Sequence, residues 1–279
     1  AVVSNTNDIE SVFYNPAGLY SLKLNKKNSL LMGSTKLYQL DFLEHEFLSI
    51  GFSNGMALSY QRLGTSNKNS EVIDLDNYSQ YGFKNIRESL SKEKSISISQ
   101  GISLLDDRNS TLSIGYAINY LSMYQNKSAG PNGDGKNGLK ENDMVAYSLD
   151  FGLFAILRDK IAFGAYAKNI TNESISKGSS SAHLPRRLNL GMTYYPTEEL
   201  ITTFALERVL SSNNESSFRF GIEYSLTSSF LLRTGIQINP NRLGAGFSYK
   251  FKIVELSYSL LTHPVLPITE AFNLKVHFE

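Results

Sequence analysis

The chain has 279 residues, enough for one large all-β domain or two ordinary ones. Its 27 Lys and Arg against 26 Asp and Glu leave a net charge of +1, without the basic excess expected of a nucleic-acid binder. It contains no Cys, which excludes disulfides, thiol chemistry and Cys-bound metal.

No apolar run approaches the ~20 residues of a membrane helix. The mean hydropathy is only -0.21. A membrane β-barrel gives the same bland average, because apolar and polar residues alternate along each strand. A basic-then-apolar signal sequence is missing, so Ala1 is expected near a mature N-terminus.

The first stretch, Asp8 to Leu22, differs from the rest of the chain. Asn15 suits a helix cap, and Pro16 then fits the first helical position, where its missing N–H is no loss. Gly18 permits a left-handed turn or a close backbone approach. Val12, Phe13, Leu19 and Leu22 flank this turn with apolar surface. The element is too short to fold alone, and the strands of the remaining chain are expected to surround it.

From residue 28 onward the pattern is strand after strand. Residues 29–37, 43–52 and 55–63 come first. A polar interruption at 64–93 comes next, with a short helix expected over Asn77–Leu90, and strand signal returns at 94–104. In 111–122, Leu112, Ile114, Tyr116, Ile118 and Tyr120 face one way, and Thr111, Ser113, Gly115, Ala117 and Asn119 the other. A helix would scatter those apolar residues, so the period of two decides for strand. A Gly/Asn/Lys loop over 125–141 leads to strands at 144–157 and 160–168, joined by Arg158-Asp159-Lys160. A third polar loop, 169–185, precedes strands at 186–195 and 200–208.

The last third is the most regular. Phe218, Phe220, Ile222, Tyr224 and Leu226 alternate with Arg219, Gly221, Glu223 and Ser225. Phe230, Leu232 and Ile236 form the next apolar row, and the Asn239-Pro240-Asn241 turn leads to Leu243, Ala245, Phe247 and Tyr249. Val254, Leu256, Tyr258 and Leu260 come next, then Phe272, Leu274, Val276 and Phe278. The count is about 14 strands of roughly nine to twelve residues, close to the ~9–11 of a tilted membrane strand. The long polar connections are the third, fifth and seventh, so in an up-and-down meander all fall at one end. Outer-membrane barrels are built this way, with tight turns at the other end.

Alternation alone leaves two readings of the polar face, which carries Asp150, Arg187, Arg219, Glu223, Arg233, Glu255 and Lys275. In a soluble sandwich it is the solvated exterior; in a barrel it lines the lumen, where opposite charges pair. Loop sorting, aromatics near strand ends and strand length favour a closed antiparallel transmembrane β-barrel, and closure removes the open edges. The polar network expected inside it comprises Arg187, Arg219, Glu223, Arg233 and Lys275.

The opening Ala1-Val-Val-Ser-Asn-Thr-Asn-Asp8, followed by Val12-Phe-Tyr-Asn-Pro-Ala-Gly-Leu19, resembles the N-terminal plug, or hatch, of FadL-type outer-membrane proteins and their PorV-like relatives. Leu188-Asn-Leu-Gly-Met-Thr-Tyr-Tyr-Pro-Thr-Glu-Glu-Leu200, Phe218 to Leu226, Leu243 to Lys250 and Phe272 to Phe278 resemble their C-terminal halves. The chain departs from them in its short loops and in ending on Phe278-Glu279 rather than on the aromatic. The resemblance implies a plug over residues 1–27 inside a barrel over 28–279, in the bacterial outer membrane. It further implies passive uptake of hydrophobic molecules such as long-chain fatty acids, leaving sideways into the membrane. Asn15, Pro16, Ala17 and Gly18 would be the gate, with Val12, Phe13, Leu19 and Leu22 as apolar ligand contacts. The alternative it implies is a PorV-like barrel that acts as a docking or carrier subunit of a secretion or cell-surface complex, with no transport of its own and with another envelope or secreted protein as partner. The implied partners are membrane lipid and a hydrophobic small molecule, with no nucleic acid.

No motif supplies chemistry. Gly51-Phe-Ser53-Asn-Gly55 matches a nucleophile elbow, but it lies between two strands, where a hairpin turn is the expectation. Gly130-Pro-Asn-Gly-Asp-Gly-Lys136-Asn137 nearly spells a phosphate loop, but Asn stands where Ser or Thr should hold magnesium. His45, His183, His263 and His277 are scattered without metal spacing. Asp106-Asp107 and Glu198-Glu199 read as solvated turn carboxylates. The expectation is a protein with no catalytic residues, metal or cofactor.

Overall fold

Residues 3–5, 8–67, 71–72, 84–85, 88–127, 140–175, 183–210 and 215–278 are described by the structure, a computed structural model. Fourteen strands run in order: β1 Asn28–Lys36, β2 Leu43–Gly51, β3 Met56–Asn67, β4 Glu88–Asp107, β5 Ser110–Gln125, β6 Asn142–Leu157 and β7 Ile161–Lys168. They continue as β8 Arg186–Tyr194, β9 Leu200–Leu210, β10 Ser216–Ser225, β11 Phe230–Ile238, β12 Arg242–Phe251, β13 Val254–Leu261 and β14 Thr269–Phe278. Each pairs antiparallel with its neighbours, and β14 returns to β1 with Asn28 opposite Phe278, closing the barrel. Closure pairs every strand on both sides and leaves no edge.

The apolar face looks outward. Ile98, Ile118, Leu149, Leu190, Phe220 and Leu243 are all exposed, while Ser99, Ser113, Ser148, Asp150, Thr193 and Thr203, from the alternate positions, are buried. A soluble sandwich would show the reverse, with those Leu, Ile and Phe meeting in a core. An exterior of this kind is stable only against acyl chains, so the barrel is a membrane-spanning one. Exposed Phe52, Tyr194, Tyr224, Tyr249 and Phe278 collar one end, and Phe42, Tyr147 and Phe218 lie toward the other.

The connections sort as expected. Those at 52–55, 108–109, 158–160, 195–199, 226–229 and 252–253 are tight and share one end with Asn28 and Phe278. Those at 68–87, 126–141 and 169–185 share the other. The Gly51–Gly55 segment is a hairpin turn, with Gly55 at φ 83° and the Phe52 and Met56 backbones bonded across it.

Two expectations need correction. The helix over Asn77–Leu90 lies largely outside the described residues; its described parts, Lys84–Asn85 and the start of β4 at Glu88–Leu90, are strand. Lys84–Asn85 pairs with Glu71–Val72 in a small separate sheet. Second, β4, β5 and β6 reach 20, 16 and 16 residues, beyond the expected nine to twelve. At roughly 3.3 Å per residue they rise past the lipid, where water solvates both faces and backbone pairing alone sustains the strand. The near-phosphate loop Gly130–Asn137 also falls outside the described residues.

Candidate functional site in the barrel lumen

The N-terminal segment lies within the ring of strands, at the tight-turn end. It folds as three short pieces: a helical turn Ser11–Tyr14, a 3-10 turn Pro16–Leu19 and a helical turn Tyr20–Leu24. Asn15 interrupts the first two in an extended conformation (φ -171°, ψ 102°). Its side-chain oxygen accepts from the Ala17 N–H at 3.2 Å, and Pro16 occupies the first position of the turn. Its Nδ2 donates to the carbonyls of Val3 and of Leu153 on β6, each at 3.0 Å. Asn15, Pro16, Ala17 and Gly18 are all buried. Gly18 keeps helical geometry and does not use the left-handed turn open to glycine; its carbonyl accepts from Ser21 Oγ at 2.8 Å.

The barrel wall makes room for this backbone with glycine. An added Cβ on Gly152 would stand 2.1 Å from Asn15 Oδ1, and one on Gly115 2.2 Å from Ala17 N. On Gly101 it would meet Tyr20 N at 2.5 Å, and on Gly164 the Val3 carbonyl at 2.1 Å. Gly101, Gly115 and Gly152 are directly paired across β4, β5 and β6, so they form one notch. Ser113 Oγ donates from this wall to the Ala17 carbonyl at 3.0 Å.

Apolar contacts finish the seat. Ile9, Val12, Leu19 and Leu22 close against Leu31 and Ala57, with Phe13 edge-on to Phe47 at 5.1 Å. Ala17 and Tyr20 pack on Phe154 and Ala162. Of the apolar residues named from sequence, Val12 and Phe13 line a lumen cavity of about 230 Å³, whereas Leu19 and Leu22 are sealed into the wall. Buried polar groups of β4–β7 line the same cavity. Among them, Ser97 donates to Asn119, Asn119 to Ser148 at 3.1 Å, and Tyr166 to Asp150 at 2.7 Å.

The polar residues named from sequence meet on the opposite wall. Arg219 and Arg187 hold Glu207 at 2.7 and 3.2 Å. Arg233 reaches Glu223 at 3.0 Å and Glu255 at 3.9 Å, and also donates to Ser248. Lys275 stands 3.0 Å from Asp8, 3.2 Å from Glu10 and 3.2 Å from Glu255, with its side chain only 10% exposed. Low dielectric strengthens such pairs, but desolvation offsets much of the gain, so they define position more than stability.

Sequence reasoning missed Glu207, Asp8 and Glu10 as partners, and missed the glycine notch altogether. The notch does leave a trace: Gly101, Gly115, Gly152, Gly164 and Gly191 all sit three to six residues from the strand end at a tight turn. His277 is not isolated either; it bonds Ser29 at 2.8 Å and lies 3.4 Å from Asp8. His45 faces the lumen beside Phe47, and His263 accepts from the Val265 and Leu266 amides in its own loop. Among the described residues, no three His, Asp or Glu side chains are grouped to hold a metal.

No known family's sequence pattern matches the chain, and no curated protein matches it in sequence. Its fold does match solved structures. The monoaromatic hydrocarbon channel CymD superposes with a TM-score of 0.61 at 11% identity, over 99% of this chain and 94% of that one. The P. putida toluene transporter TodX gives 0.59 at 12% identity, over 98% and 94%. A Pseudomonas aeruginosa FadL homologue gives 0.53 at 13% identity, over 98% and 94%. The fold is therefore that of FadL-type channels, and the similar structures named here are of channels and transporters rather than enzymes.

Proposed function

We propose that this barrel sits in the bacterial outer membrane and lets hydrophobic molecules through passively, with residues 1–27 as a plug and 28–279 as the wall. One observation carries the reading: a lumen lined with paired charges and hydroxyls is filled at one end by a separate, closely seated segment. A permanent seal needs no adjoining cavities, whereas a gate does. Asn15, Pro16, Ala17 and Gly18 fix the plug, and Val12 and Phe13 turn apolar surface into the lumen cavity of about 230 Å³ on the β4–β7 side. Leu19 and Leu22 serve the seat rather than the ligand. Sideways exit into the bilayer suits such a solute, since staying out of water is worth roughly 25 cal/mol per Å² of apolar surface.

Long-chain fatty acid is the substrate class suggested by the sequence resemblance. TodX, which shares the fold, is a toluene transporter, so both chemistries are to be tested. Cells lacking their own fatty-acid and hydrocarbon uptake barrels would express the chain, with initial uptake of radiolabelled oleate and toluene measured in parallel. Expression-dependent uptake of either supports transport; uptake of neither overturns it.

A docking role has one observation in its favour. Val265 is 87% exposed and Leu266 and Phe42 are also exposed, all at the long-loop end. There Tyr38 stacks edge-on with His263 at 5.3 Å. Stoichiometric co-purification with another envelope or secreted protein would favour that reading.

A further inference from the structure

The N-terminal segment is held differently on its two sides. Toward β4–β8 its backbone is keyed into the glycine notch, and toward β1–β3 Leu19 and Leu22 are packed shut. Contacts of that kind resist movement, because backbone and interlocked apolar groups have no alternative partner. Toward β10–β14 it is tethered by polar groups: Lys275 holds Asp8 and Glu10, and Asn5 donates to Glu223 at 2.7 Å. Lys275 also holds Glu255 on the wall at 3.2 Å, so Asp8 and Glu10 can leave it without stranding the buried cation.

A cavity of about 430 Å³ opens on the tethered side, between Glu10 and Tyr14 and the inner face of β11–β14. That lies within the roughly 300–1,000 Å³ of small-molecule sites, and the 230 Å³ cavity over Val12 and Phe13 does not. The N-terminal segment does not fill the wall here: a Cβ on Gly235, Gly244 or Gly246 would meet atoms of neighbouring strands only, in contrast to the occupied notch opposite.

Resting on the transport reading, we propose that solute passes the plug on this side alone, along β11–β13, on its way to the sideways exit, and that the Lys275 cluster is the latch that closes this route. The plug swings about its keyed side when the latch lets go. Charge limits the passenger. Arg233 is paired with Glu223 and Glu255, and Lys275 with its three carboxylates. A solute with net charge would break a pair and strand its partner. The passenger is therefore an uncharged molecule with an apolar body.

The test uses the same cells, with folding of each variant checked by heat-modifiable gel mobility. Gly244→Leu fills the cavity and is expected to lower toluene uptake about tenfold, while Leu121→Phe, in the opposite cavity, leaves it unchanged. Ser259→Leu blocks the same face and decides the matter if Gly244→Leu does not fold. Lys275→Gln is expected to raise toluene uptake by about threefold or more. Wild-type uptake that persists in the folded blocking variants, or falls equally in Leu121→Phe, overturns the one-sided path. Uptake unchanged or lowered by Lys275→Gln overturns the latch, and oleate carried without toluene overturns the charge limit. A wild-type chain carrying neither probe overturns the transport reading itself, and this inference with it.

Discussion

The Asn15 side chain uses both ends of its amide at once: the oxygen caps the Pro16 turn, and the nitrogen ties Val3 and β6 together. Replacing it with Ala loses those bonds and leaves buried partners unsatisfied, a cost of about 1–3 kcal/mol. Asn15→Asp is expected to be worse although it keeps the cap, because a buried carboxylate would face two carbonyl oxygens, at about 3–5 kcal/mol. Strand pairing does not depend on this residue, so the barrel should stay folded and only the N-terminal segment should loosen. Hydrogen exchange over residues 8–24 measures this. Protection should fall about tenfold for Asn15→Ala and about a hundredfold or more for Asn15→Asp. Equal protection in both variants and wild type would mean that apolar contacts alone hold the segment. The cap itself was legible in the sequence, because Asn followed by Pro acts on neighbours one or two residues away. The two outward bonds of Nδ2 were not, since Val3 and Leu153 become neighbours only once the barrel closes. Gly115 makes the same point: in sequence it is one small residue in an alternating run, and its partner, Ala17, is brought to it by the fold.

At the scale of the strand, the two faces of β8 should respond oppositely to charge. Leu190 is the middle residue of Arg186–Tyr194 and is 43% exposed on the outer face. Arg at that depth is expected to destabilise the barrel by about 2–4 kcal/mol. Its neighbour Asn189 points into the lumen opposite Glu207, so Asn189→Arg should cost about nothing. Urea unfolding of the barrel refolded into lipid vesicles compares the two. A larger loss from Asn189→Arg would invert the assignment of faces. Strand identity was readable because lipid demands an apolar residue at every second position. Strand length was not, because that demand ends at the membrane surface. Ser91, Lys92 and Glu93 look like loop in sequence, yet each is paired with β5, opposite Gln125, Tyr124 and Met123. What holds them is the ladder begun below, and a ladder leaves no compositional mark.

For the molecule as a whole, the even strand number fixes a sidedness. Asn28 and Phe278 pair at the tight-turn end, and the N-terminal segment therefore fills that mouth rather than the one bearing the long loops. Outer-membrane barrels turn their short connections to the periplasm. On the proposed transport reading, a solute from outside would meet the charge-paired lumen first and the N-terminal segment last. The chain has no Cys, so single cysteines report orientation without background. Lys127→Cys, in the fifth connection, should react with a membrane-impermeant maleimide in intact cells. Asn109→Cys, in the tight β4–β5 turn, should react only after the outer membrane is permeabilised. The reverse pattern would set the plug at the outer mouth, where the Lys275 cluster would gate entry rather than release. Labelling of both sites in intact cells would mean that the chain does not span the membrane, and the apolar exterior would then have to be covered by another protein.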